Sequence, residues 1–171
     1  MPVGFSEAAG PGNNPGEEDR MRKGMPEETF DLAQAQRLLP RLESLLRTAV
    51  ESKRRIAEIE QQYAGLVKDI FLSGGRAVDV PTFSLYKQEK EDSERVLQQT
   101  VREIEQLGCV IKDLGIGLVD FPCRVGDREA YLCWRLGEPA IGFWHTVDEG
   151  FAARKPIDEN FLTQLKRPRP V

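Results

Sequence analysis

From Leu42 the apolar positions step by three and four through Leu42, Leu45, Ala49, Ser52, Ile56, Ile59, Tyr63, Leu66 and Ile70. Ser52 alone breaks the run, so the pattern is a heptad seam and predicts a helix that packs along one narrow stripe. Glu51, Lys53, Arg54, Arg55, Glu58 and Glu60 flank that stripe. Thr29, Phe30 and Asp31 predict the helix entry, with Asp31 or Thr29 as N-cap and Phe30 packing on the first turns. Pro40 predicts a kink, or a separate short helix through Leu32, Leu38 and Leu39. A continuous rod to Phe71 would span roughly 60 Å at about 1.5 Å per residue. Ser73, Gly74 and Gly75 carry turn chemistry, and a link ending at Pro81 leads to a second helix from about Thr82 to Leu107. Its stripe holds Tyr86, Val96, Leu97, Thr100, Val101, Ile104 and Leu107, and Gly108 stands where a left-handed C-cap belongs. The two helices are expected to fold back as a coiled-coil-like antiparallel hairpin. Their unequal lengths leave part of the first helix to be covered by a second chain or by whatever follows, which argues for a dimer.

Beyond Gly108 the period changes to two. Cys109 to Lys112, Leu118 to Phe121, Glu129 to Arg135 and Ala140 to His145 predict short strands, with turns at 114–117, 126–127 and 137–138. Such a sequence gives a three- to four-stranded antiparallel β-meander with one face packed on the hairpin, an α+β fold. A two-residue turn at Gly137-Glu138 would pair Leu136 with Pro139, Trp134 with Ile141 and Leu132 with Phe143. The core face would then be Leu132, Trp134, Leu136, Ile141 and Phe143. Tyr131, Cys133, Arg135 and Trp144 would share the other face, with Tyr131 opposite Trp144.

That second face is where candidate chemistry concentrates. His145 is the chain's one histidine and lies close to the acids Asp148 and Glu149, which suggests a base with an orienting carboxylate, or half a metal site. A Cys133–His145 nucleophile pair needs both side chains on one face, and the register above puts them on opposite ones; a turn one residue longer would reverse this. Asp120 sits in the otherwise apolar strand Leu118 to Phe121, so its carboxylate calls for an Arg or backbone donors. Asp113, Arg124, Arg128, Arg135 and Arg154 are available for ion pairs or for an anionic ligand. Among the described sequence motifs of enzymes, no Gly-rich phosphate loop, Ser-based elbow or metalloprotease pattern occurs.

Composition narrows the picture. Residues 1–28 hold five glycines and four prolines with a mixed charge run, predicting a flexible leader that cannot offset the entropy of ordering. The folded domain is expected over 29–160, with helices at 29–72 and 82–107, the meander at 109–146, and a basic tail at 161–171. No stretch approaches the roughly 20 apolar residues of a membrane span, and the N-terminus lacks the apolar segment of a signal peptide. A net charge of −4 argues against nucleic-acid binding, as does the scatter of Arg37, Arg41, Arg47, Lys53, Arg54 and Arg55 around the first helix among glutamates. Cys109, Cys123 and Cys133 are odd in number and lack C-x-x-C spacing, which fits a reducing cytoplasm better than a disulfide framework or a cysteine-based zinc site.

Several longer motifs stand out: Ala35-x-x-Leu-Leu-Pro40 after Thr29-Phe30, Gly117-Leu-Val-Asp-Phe-Pro122, Tyr131-Leu-Cys-Trp-Arg-Leu-Gly-Glu138, Trp144-His145 and Asp148-Glu-Gly-Phe-Ala-x-Arg154. Together they resemble the bacterial DUF2203 family over about residues 29–157. The resemblance implies a bacterial cytoplasmic protein and carries over no catalytic residue and no cofactor. On chemical grounds the candidate ligand or partner surface is therefore Asp120, Tyr131, Arg135, Glu138, Trp144, His145, Glu149 and Arg154, with His145 and Glu149 as metal candidates. Two functions are expected in competition. One is a non-enzymatic oligomeric assembly or adaptor module, motivated by the seam and the aromatic face. The other is a small-molecule or metal-dependent enzyme or ligand sensor at the end of the meander, with His145, Glu149 and Arg135 or Arg154 converging.

Overall fold

Asp31 accepts a hydrogen bond from the Gln34 amide (2.7 Å) while the Gln34 side chain accepts one from the Asp31 amide (3.1 Å), a reciprocal cap that starts the first helix at Leu32. The structure, a computed structural model, describes residues 29–75 and 79–167. The predicted leader and the last four residues of the predicted tail lie outside that range. Helix α1 (Leu32–Leu72) runs unbroken through Pro40, so the separate short helix does not form. Pro40 is exposed, on the side of the helix away from its packed stripe.

Helix α2 (Val80–Gln106) begins two residues earlier than expected, because Asp79 caps it through the Thr82 amide and hydroxyl and Pro81 sits harmlessly in the first turn. Gly108 closes it in the left-handed conformation (φ +83°), as its position implied. The two helices pack as an antiparallel hairpin. Arg55 bridges to Glu89, and Lys90 to Glu60 at 2.7 Å, across the arms.

The chain then forms a five-stranded antiparallel sheet in sequential order: β1 (Val110–Asp113), β2 (Leu118–Val125), β3 (Arg128–Arg135), β4 (Phe143–Thr146) and β5 (Lys155–Pro156). One sheet face, with Val119, Phe121, Cys123, Ala130, Leu132 and Trp134, packs into the core with Ala35, Leu39, Leu42 and Leu46 of α1 and Ile104 of α2. Each such large apolar side chain contributes about 1.5–3 kcal/mol by leaving water. The part of α1 that α2 does not reach is thus covered by the sheet, and unequal helix length gives no reason to invoke a second chain.

The fold also runs further than residue 160. A short helix α3 (Glu159–Gln164) buries Phe161 against Trp144 (ring centroids 4.7 Å apart), and Leu165 bridges to Val125. The start of the predicted basic tail is therefore part of the domain. No described helix is long and apolar enough to cross a membrane.

Candidate functional site

The sheet's second face differs from the expected one by a single residue of register. Tyr131 pairs with His145, Leu132 with Trp144 and Cys133 with Phe143. A two-residue hairpin does not close β3 onto β4. Residues 136–142 form the connection, with Gly137 at φ +97°. Three bonds hold this longer loop: Trp134 Nε1–H donates to the Glu138 carbonyl (3.0 Å), the Arg135 amide to the Glu138 carboxylate (3.0 Å), and the Ile141 amide to Gln36 of α1 (3.2 Å). One extra residue reverses every side chain of β4. Trp144 lies on the helix side against Phe161, not opposite Tyr131, and Phe143 leaves the predicted core face. His145 moves onto the face of Cys133.

Asp120 of β2 pairs directly with Cys133 of β3, and His145 of β4 lies one diagonal step away on the same face. All three are buried, at 1%, 0% and 3% exposure. His145 Nδ1 lies 2.9 Å from the Thr146 carbonyl oxygen, which only accepts, so Nδ1 carries a proton and donates. Nε2 then faces Asp120 Oδ2 at 3.0 Å, and one proton is shared between them. Lys112 stands 3.8 Å from the same oxygen, with its ammonium 4.8 Å over the Tyr131 ring. Burial pushes the Asp120 carboxyl above the usual carboxylate range, with His145 and Lys112 opposing that shift.

Burial also raises the Cys133 thiol to about 12, reinforced by the Asp120 carboxylate. The Cys–His pairing that the expected register forbade is thus geometrically present. It is not a nucleophile–base pair, because the thiol stays protonated and both imidazole nitrogens are engaged.

The remaining candidates are tied up separately. Glu149 accepts from the Thr146 amide and hydroxyl and from Lys155 (2.9 Å), which holds its carboxyl down to about 2. Glu138 and Arg154 form an ion pair at 2.7 Å, both largely buried. The Arg154 guanidinium lies between the rings of Phe143 (4.0 Å) and Phe151 (4.3 Å). Arg135 is exposed, 5.8 Å over Phe151. His145 and Glu149 do not meet, and neither arginine clamps a space between them. His145 has Asp120 as its carboxylate, and Lys112 is a neighbour that the sequence did not single out. Lys112 falls at the irregular step of β1 between Ile111 and Asp113, two residues along from Val110, the direct partner of Asp120, so simple strand alternation does not mark it.

The described surface also carries an apolar groove, lined by none of these groups. It lies between the arms of the hairpin, has a volume of about 440 Å³, and is lined by Ile59, Tyr63, Ala64, Val80, Phe83 and Tyr86 with Glu60, Lys87 and Lys90 at its rim.

No curated protein and no solved structure matches the chain. The family model described as "Uncharacterized conserved protein (DUF2203)" matches residues 28–157, the span that holds the helical hairpin, the meander and the Asp120–Cys133–His145 face, and the chain belongs to that family.

Proposed function

We propose that the protein is a non-enzymatic assembly or adaptor module of the bacterial cytoplasm, and that it works as a homodimer joined through the distal half of its hairpin. The observation that carries this is the exposure of large apolar side chains beyond the sheet: Phe71 at 83%, Leu72 at 70%, Leu85 at 65% and Val80 at 63%. Scattered singly, such residues mean little. Gathered at one end of a rod, around an apolar groove, they mark a contact surface. Past Ala49 the buried positions of α1 thin to Ser52 and Ile59, although the heptad seam continues to Ile70.

A second copy fits this surface. Ala57, Ala64 and Phe71 recur at seven-residue spacing on α1, the two alanines and exposed Gly65 leaving room for a helix to approach closely. Antiparallel packing about a twofold axis lays Phe71 of each copy toward the groove of the other, in an isologous four-helix coiled-coil bundle. The charges at the groove's rim are paired within the chain, Glu60 with Lys90 and Lys87 with Glu91, so a second copy can cover the groove without stranding a lone charge. A face about 25 Å long and two helices wide offers on the order of 500 Å² per partner, near the lower bound for a specific contact. The three buried free cysteines support a reducing compartment.

Sedimentation velocity over a wide concentration range tests the reading. A monomer–dimer equilibrium is expected, shifted wholly to monomer by Ala64→Glu combined with Phe71→Glu with the circular dichroism unchanged. A native chain that stays monomeric at every concentration sinks the proposal.

A further inference from the structure

The cluster on the sheet's second face is built as a ligand set. Asp120, Cys133 and His145 each offer one donor atom, and these atoms lie within 4.8 Å of one another. They come from three adjacent strands, so the backbone fixes their spacing. Tetrahedral zinc holds oxygen, nitrogen and sulfur donors about 3.3–3.8 Å apart given bonds of about 2.0–2.3 Å. Small rotamer adjustments close the difference.

We propose that Asp120 Oδ, Cys133 Sγ and His145 Nε2 bind a single zinc-class divalent ion that pins β2, β3 and β4 together. Three observations support this beyond the count of donors. The Nδ1–H bond to the Thr146 carbonyl orients the imidazole with Nε2 pointing inward, as the second ring nitrogen of a metal-bound histidine is held. Asp120 Oδ1 is buried and meets no well-aligned donor among the described residues, leaving the Cys133 thiol, a weak donor, as the group that answers this carboxylate beside His145 and Lys112. The mixed oxygen, sulfur and nitrogen set suits zinc and not calcium or magnesium, which take oxygen.

Charge and proton balance both close. A dication with one carboxylate, one thiolate and one neutral imidazole sums to zero, which suits burial. Binding releases two protons to solvent, the thiol proton of Cys133 and the proton shared by Asp120 and His145. Among the described residues no fourth histidine, cysteine or acid joins the cluster, so the fourth position falls to water or an exogenous ligand.

Two cations face the cluster. Arg154 lies near Cys133 but is paired with Glu138. Lys112 stands beside Asp120, 41% exposed on a flexible stem. It occupies the role of counter-cation and is free to swing outward when a metal enters.

The test is a titration of the full chain, stripped by chelator, with cobalt(II) and zinc(II). A saturable one-to-one complex is expected, with the ligand-field bands of tetrahedral cobalt and a thiolate-to-cobalt charge-transfer band. Cys133→Ser abolishes that band while Cys109→Ala and Cys123→Ala keep it, and Lys112→Met tightens binding by about tenfold by removing a competing charge. Because the chain has one histidine, its imidazole ¹⁵N spectrum is unambiguous: zinc moves the Nε2 resonance and leaves Nδ1 protonated. This readout on the native sequence decides the matter even where Cys133→Ser fails to fold. Absence of saturable binding, a charge-transfer band indifferent to Cys133, or an unmoved Nε2 resonance would each overturn the proposal.

Discussion

A buried acid and a buried imidazole that share one proton are stable only as a couple. Asp120 and His145 lie 3.0 Å apart with almost no exposure, so replacing one strands the other's polar atoms in an apolar setting. In metal-free buffer, His145→Leu or Asp120→Leu should each destabilise the domain by about 3–5 kcal/mol, and the double variant should recover most of that loss. Urea denaturation of the four proteins measures the coupling, and additive losses would show that the pair is not a unit. The cysteines give a second residue-scale expectation. Burial pushes all three thiols up to about 12, so alkylation at neutral pH should follow global unfolding, with Cys109, Cys123 and Cys133 labelled together. Fast labelling of any one in native buffer would contradict its burial. Glu149 behaves oppositely, since Lys155 and Thr146 lower its carboxyl from 4.5 to about 2. The unfolded chain therefore binds the extra proton between those values, and the stability Glu149 contributes is complete above pH 4.5 and lost as pH falls toward 2. Glu149→Gln should flatten that part of the acid denaturation profile.

Elements differed in how openly the sequence declared them. The helical hairpin was legible because its period is repeated many times, and the capping signals at Asp31 and Gly108 are local in sequence. The meander's strands were legible for the same reason, but the facing of β4 depended on the length of one connection. Leu132, Trp134 and Ile141 lie on the core side as the two-residue turn predicts, whereas Phe143, Trp144 and His145 each face opposite to that prediction. The turn geometry at Gly137 depends on Gln36, a residue of α1 more than a hundred positions away, so no local pattern announces it. Asp120 was legible as a buried acid needing a partner. The identity of that partner followed from the register and was lost with it. Gly117 offers a direct measure of how tightly this part of the sheet is set. It has φ +63°, and a Cβ there would lie 2.5 Å from the Leu136 Cβ, whereas Gly126, at φ +57°, has open space around it. Gly126→Ala should cost about 1–2 kcal/mol for conformation alone, and Gly117→Ala about 2–5 kcal/mol because contact with Leu136 is added. Equal losses on thermal or urea unfolding would mean that the β1–β2 turn yields without strain.

At the scale of the whole molecule, apolar burial is unevenly distributed. The sheet end holds the core cluster of Phe121, Leu132, Trp134 and Phe161 with the first turns of α1, while the outer hairpin buries little beyond Ile59. Local opening should follow that gradient. In a monomeric Ala64→Glu, Phe71→Glu protein, amides of residues 60–72 and 80–95 should exchange with solvent far faster than those of β2 and β3, because few buried contacts must break to release them. Dimerisation through the same surface adds stability only to the part that it covers. At a hundredfold excess over the dissociation constant the gain is about 2.7 kcal/mol, or about a hundredfold slower exchange in the outer hairpin, with the sheet amides unchanged. Hydrogen exchange read by mass spectrometry at low and high concentration of the native chain separates the two regions. Protection that rises with concentration in the outer hairpin alone locates the contact there. A rise spread over β1 to β5 as well would move the contact to the sheet, and an outer hairpin that exchanges rapidly at every concentration would mean that its exposed Phe71, Leu72 and Val80 have no second copy to meet.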